Sequence, residues 1–249
     1  MTPSPSKPPN NGGSSPFGTV GTTRSVASAA GRASDGGAPV ATDWFAYDAW
    51  LVDLDGTLYR QLPVRLAMAA ELVLLGPHRI RAIKAFRREQ EQLRSEIASG
   101  APSADPSDSP YEQQLTRAAA ALNCSRDSLA KVVREWMECR PGKWLRLFRR
   151  RSLLAEVAEF RSRGGKTALV SDYPAQAKLA GLRAAHLFDV VVASGEVGGP
   201  SRLKPAPEGY LLAAERLQVS PDRCLVIGDR EDADGQAARH AAMAFRQIL

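Results

Sequence analysis

WFAYDAWLVDLDGTLY, residues 44–59, is the stretch whose reading decides the fold. Ala49 to Leu54 reads as a short buried strand, and Asp55 and Gly56 end it in a polar turn. A near-continuous apolar run stopped by Asp and Gly is the pattern of a strand in a parallel sheet covered on both faces. Working outward, residues 64–98 show helical spacing, SGAPSADPSDSP (99–110) reads as loop, and helices are expected at about 111–122 and 126–138. After Pro141 the rhythm alternates. A helix at 150–163 stops at Gly164-Gly165, and the strand KTALVS (166–171), a helix at 174–183 and the strand FDVVVAS (188–194) follow. A helix at 207–217, the strand RCLVIGD (223–229) and a helix at 232–242 complete the series. Strands separated by helices of this length imply βαβ units and one parallel sheet. The expected class is therefore α/β: a Rossmann-like parallel sheet with helices on both faces, plus an all-helical insert. The expected boundaries are a tail at 1–42, a core at 43–60 and 146–249, and the insert at 61–145.

Composition narrows the function classes. The 249 residues are 44% apolar and 24% charged, an ordinary globular balance. The longest nearly apolar stretch, LAMAAELVLL (66–75), carries a glutamate and is about half of what a bilayer needs. No apolar core follows a basic N-terminus, so neither a membrane span nor a secretory signal is expected. Cys124, Cys139 and Cys224 form no CxxC pair and have no histidine at ligand spacing. A reducing, cytoplasmic setting without disulfide framework or zinc site follows. The first 40 residues hold 6 Pro, 7 Gly and 7 Ser and are expected to be disordered. Arg24 and Arg32 among Ser and Ala suggest a transit peptide as the rival, but the Pro and Gly content spoils an amphipathic helix. The net charge is +6, and residues 60–152 alone hold 18 Lys/Arg against 10 Asp/Glu. That regional surplus suits nucleic acid, an anionic membrane surface, a phosphorylated small molecule, or simply solvated helix faces, and charge alone does not choose.

Ligands of open α/β sheets bind beyond the carboxyl ends of the strands. Those ends carry Asp53 to Thr57, Ser171, the segment after Ser194, and Gly228 to Asp234. Converging carboxylates repel and need a cation, and oxygen ligands without Cys or His favour magnesium over zinc. One mechanism uses every part: a carboxylate attacks phosphorus, a metal and a lysine neutralise phosphoryl oxygens, and a second carboxyl group shuttles the proton. Each part taken alone has a plainer reading. An isolated Asp-x-Asp caps a helix or makes an Asx turn, Ser171 is an N-cap, Lys204 is a surface lysine, and Glu231 and Asp232 are helix-start acids. A calcium loop is excluded, because neither LDGT nor DREDADG puts glycine sixth in the required frame.

VDLDGT (52–57), VSD (170–172), Lys204 in RLKPAPEGY, and IGDREDAD (227–234), in that order, resemble the four motifs of the haloacid dehalogenase (HAD) superfamily over roughly residues 45–245. The resemblance implies Asp53 as nucleophile, forming an aspartyl-phosphate, and Asp55 as the acid and base that protonates the leaving oxygen and activates water. It implies magnesium held by Asp53, the Asp55 carbonyl, Asp229 and Asp234. It implies phosphate contacts from Ser171 and the Asp172 amide, Lys204 bridging the phosphoryl oxygen and the nucleophile, and Thr57 holding the loop. Relatives lacking the second aspartate cleave carbon–halogen or phosphonate bonds, so Asp55 favours phosphate esters. The insert at 61–145 falls where such proteins carry a helical cap, and its basic surplus suggests an anionic substrate.

Basic candidates near the cap hinge and mouth are Arg60, Arg65, His78 and Arg149, Arg150 and Arg151, while Trp136, Trp144 and Phe148 read as core. Departures from the family pattern are Ala233, a missing glycine at the end of AARHAAMAF, a final strand expected to be short or missing, and GGPSR lengthening the loop before Lys204. The expected function is a magnesium-dependent phosphomonoester hydrolase acting on a small phosphorylated metabolite, as monomer or homodimer, with no nucleic-acid partner. A phosphomutase and a catalytically silent interaction protein are the alternatives.

Overall fold

Residues 43–99 and 109–249 are described by the structure, a computed structural model of the chain. The expected tail and nearly all of the expected loop at 99–110 lie outside the described residues. Five strands, β1 (Ala49–Asp53), β2 (Lys166–Ser171), β3 (Val190–Ala193), β4 (Cys224–Gly228) and β5 (Ala244–Gln247), form one sheet in the order β3-β2-β1-β4-β5. Every pairing is parallel. β1 is the central strand, and all five of its residues are buried, which is why its sequence is a continuous apolar run rather than an alternation. The chain runs outward from β1 through β2 to β3, then returns to the other side of β1 for β4 and β5. The loops after β1 and β4 therefore part company, opening a crevice at the carboxyl ends.

The connection from β1 to β2 begins with α1 (Gln61–Leu75), α2 (Ile80–Ala98), α3 (Pro110–Leu122), α4 (Arg126–Val133) and α5 (Gly142–Leu147). The helical spacing read over 64–98 divides into two helices. Pro77 has no N–H to continue the ladder, and the Gly76 amide closes α1 by donating to the Leu72 carbonyl at 3.0 Å. A Cβ at Gly76 would overlap the Trp136 ring, so the break also lets α1 approach that side chain. α3 starts one residue early, at Pro110, because the Ser109 hydroxyl accepts from the Glu112 amide at 3.3 Å and caps it. Past α4 the helix widens into a π turn over Arg134–Cys139. Phe86, Tyr111, Leu115, Leu129 and Val133 make the core of this insert.

Four further helices, α6 (Arg151–Ser162), α7 (Gln176–Leu182), α8 (Glu208–Leu217) and α9 (Gln236–His240), cover the sheet. Side-chain alternation along β1 sends Trp50 and Val52 to a layer with Val157 and Phe160 of α6 and Leu179 of α7. Ala49 and Leu51 point the other way, to Tyr210 and Ala213 of α8 and Ala237 of α9. Trp50 stacks on Phe160 with ring centroids 4.3 Å apart. α9 ends sooner than the expected 242. Ala242, at φ 56, takes the left-handed turn for which a glycine is the ordinary choice, and the short β5 follows. Among the described residues no helix is long and apolar enough to cross a membrane.

Candidate active site

Asp53 is the last residue of β1, opposite Val170 of β2, and is 6% exposed. Its Oδ1 accepts from the Lys204 ammonium, and its Oδ2 accepts from the Thr57 hydroxyl at 2.9 Å. Lys204 also reaches Asp234 Oδ1 at 2.8 Å, where the Tyr210 hydroxyl donates as well at 2.8 Å. The lengthened loop before Lys204 thus does not keep its ammonium from Asp53. Asp229 follows β4, and Gly56, at φ 100, lies so close that a Cβ there would overlap the Asp229 carboxylate. Glycine is required at that turn on both counts. Carboxylate oxygens of Asp53, Asp229 and Asp234 lie within 4.8 Å of one another.

Electrostatics in this cluster are short of positive charge. Burial, together with the neighbouring Asp234 and Asp229 and against Lys204, raises Asp53 to about 8. Burial and Asp234 likewise raise Asp229. Burial alone would lower Lys204, but Asp234 and Asp53 outweigh it and hold the ammonium protonated well above its ordinary range. Three converging carboxylates with one lysine among them form a hard oxygen donor set of the kind a divalent cation neutralises, so these residues fit magnesium.

Asp55 belongs to a second cluster. Lys178 Nζ of α7 lies 2.7 and 2.6 Å from its two oxygens, and the Tyr59 hydroxyl donates to its Oδ1. Burial pushes Asp55 upward, yet Lys178 and Tyr59 outweigh it and leave the carboxyl below its usual value. Ser171 and Thr57 are almost fully buried and stand behind the cavity lining, with the Ser171 hydroxyl accepting from the Tyr173 amide at 3.1 Å. The Asp172 side chain works as a tie: Oδ1 accepts from the Lys204 amide at 3.2 Å and Oδ2 from Arg94 of α2 at 2.7 Å.

A cavity of about 460 Å³ opens over Asp53, Asp55, Asp229 and Asp234 and is walled on its far side by α1 and α2. Of the basic candidates from the sequence, Arg65 lines it, while Arg60, His78 and Arg149 to Arg151 do not. Arg149 and Arg150 instead donate to the carbonyls of Leu182 and Leu249. Trp136 is core, as expected, and also forms part of the cavity wall. Sequence reading missed Lys178, Tyr59, Tyr210 and Arg94. Lys178 left one trace: it shares the buried row of α7 with Leu179 and Leu182, an odd place for a lysine without a partner.

The haloacid dehalogenase-like hydrolase family matches residues 47–242. Over 71 residues, 28% of the chain, the sequence is 48% identical to a fructose-1-phosphate phosphatase of Escherichia coli. A stretch of the same length is 41% identical to a glyceraldehyde 3-phosphate phosphatase of Methanopyrus kandleri. These matches span 35% and 29% of those two proteins. The fold is similar to a HAD-hydrolase of Bacillus subtilis solved with bound magnesium, with a TM-score of 0.57 at 18% identity over 81% of this chain and 88% of that one. It is also similar to the L-2-haloacid dehalogenase of Xanthobacter autotrophicus, with a TM-score of 0.54 at 20% identity over 81% and 77%. With the family match spanning most of the chain and a parallel sheet of the same kind beneath the site, the chain belongs to the haloacid dehalogenase-like hydrolases.

Proposed function

We propose that this protein hydrolyses small phosphorylated metabolites with magnesium, through a phosphoryl group carried briefly on Asp53. The observation that carries the reading is the separation of two carboxylates only two positions apart in the chain: Asp53 joins Lys204, Asp229 and Asp234, whereas Asp55 is held by Lys178 and Tyr59. A nucleophile and an acid–base need such different surroundings.

Asp53 would attack phosphorus, and the ester bond would break with its electron pair leaving on the alcohol oxygen. Asp55 would give that oxygen its proton, then take a proton from the water that attacks the phosphoryl-aspartate, restoring Asp53 and releasing phosphate. Lys204 would hold the Asp53 carboxylate in place and offset the phosphoryl charge, with Ser171 and the Asp172 amide as neutral donors. Asp53, Asp229, Asp234 and the Asp55 carbonyl would hold magnesium, which when bound supplies charge neutralisation for the phosphoryl oxygens. Residues 61–145 would act as a cap over the cavity, whose size suits a small-molecule substrate.

Phosphate release from p-nitrophenyl phosphate tests the reading. Activity is expected with magnesium, is expected to vanish with chelator, and is expected to vanish in Asp53→Asn. Undiminished turnover in that variant ends the proposal.

A further inference from the structure

The row of α2 that faces the cavity carries donors that are only partly matched. Arg87, Gln90 and Arg94 are spaced by three and four residues, so they share one helix face, and all three line the cavity opposite Asp53. Gln90 is 4% exposed. Its Oε1 accepts from the Tyr173 hydroxyl, while its buried Nε2 has no hydrogen-bond partner. Buried donors left unmatched are uncommon, and each one is a cost that a ligand acceptor removes. Arg94 anchors the lower end of the row on Asp172 and Glu91 at 2.7 and 3.0 Å. Arg87 at the mouth and Arg65 on the α1 wall are both exposed, and among the described residues neither has a carboxylate within ion-pair distance.

We infer that Arg87, the Gln90 amide and Arg65 form a second anion subsite on the insert, so that the substrate is a phosphate ester bearing a further carboxylate or phosphate at the end remote from the scissile bond. This deepens the phosphatase reading and rests on it. The phosphoryl end is taken by the Asp53 and Lys204 side of the cavity, whose one acceptor for the α2 row, Asp172, is already taken by Arg94. A neutral polyol satisfies the Gln90 amide but leaves both arginines uncompensated, which is why the far group carries charge.

Three phosphonate analogues of glycerol 3-phosphate, with a methylene replacing the ester oxygen, separate the possibilities. One keeps the terminal hydroxymethyl group, one ends in a carboxylate, and one ends in a second phosphate. In calorimetric titrations of the magnesium-loaded protein, an anionic analogue is expected to bind at least tenfold more tightly than the hydroxymethyl one. The tighter of the two anionic ligands identifies the group. Arg87→Gln and Arg65→Gln, both at exposed positions where folding is not at stake, are each expected to cut that advantage at least threefold. An advantage below tenfold overturns the subsite, as does one that both variants leave intact. Hydrolysis of the matching esters is followed in parallel. If the binding preference holds but no ester releases phosphate, the phosphatase reading fails and the subsite stands.

Discussion

Lys178 Nζ sits within 2.7 Å of both oxygens of Asp55, a two-point clamp by a lysine drawn from the buried face of α7. The clamp keeps Asp55 ionised although it is half-buried. An ionised carboxylate is the form that accepts a proton from water, so Lys178 favours the second half of the proposed reaction, the breakdown of phosphoryl-Asp53. Replacing it by Met leaves the half-buried Asp55 without its cation and shifts it towards the protonated form.

Lys178→Met is therefore expected to slow water attack more than phosphoryl transfer. In rapid-mixing experiments with p-nitrophenyl phosphate, the variant should release a burst of nitrophenol approaching one equivalent per site. A steady state slower by about a hundredfold should follow, the lower end of the range for losing a general base. Uniform slowing without a burst would show that Lys178 does not act through Asp55.

Ala242 holds φ 56 at an exposed turn between α9 and β5. An alanine there carries a steric cost that glycine escapes, on the order of 1 kcal/mol. Ala242→Gly is expected to raise the melting temperature by roughly 2–4 °C for a domain of this size, with activity unchanged. A lower melting temperature would mean that the turn is not strained.

Asp189 ties the start of β3 to β2. Its Oδ2 accepts from the Thr167 amide at 2.9 Å, and its Oδ1 pairs with Arg161. Burial opposes ionisation, but the Thr167 amide and Arg161 outweigh it and lower the carboxyl from its usual value. A group whose folded pKa is depressed stabilises above its unfolded pKa, near 4 for Asp, and loses that contribution as pH falls through the folded value. Denaturation midpoints of the wild type should thus decline from about pH 4 downward. Asp189→Asn should flatten that part of the curve and lose on the order of 1 kcal/mol at neutral pH, the usual worth of such a hydrogen bond. An unchanged pH profile in the variant would contradict the assignment.

How much of this was legible in sequence differs from element to element. β2 was read at its observed limits, because Gly164-Gly165 and Ser171 bracket an apolar run that has only one reading. The strand read at 188–194 shrinks to Val190–Ala193, since Phe188 and Asp189 leave the ladder to pack and to tie back to Thr167. The helical spacing over 64–98 is borne out but did not show the break at Gly76-Pro77, which the proline imposes within a continuous apolar pattern. In the site, the acids announced themselves because they fall at or just beyond the ends of β1 and β4. Lys178 and Tyr210 did not, because their meaning lies in partners, Asp55 and Asp234, that are distant in the chain.

The most direct test of the central claim is where the phosphoryl group resides during turnover. Acid quenching of the magnesium-loaded protein within the first turnover of p-nitrophenyl phosphate, followed by peptide mass analysis, should find phosphate on the peptide containing Asp53. The same treatment of Asp53→Asn should find none. Phosphate on another residue, or full turnover with Asp53 never modified, would contradict the account.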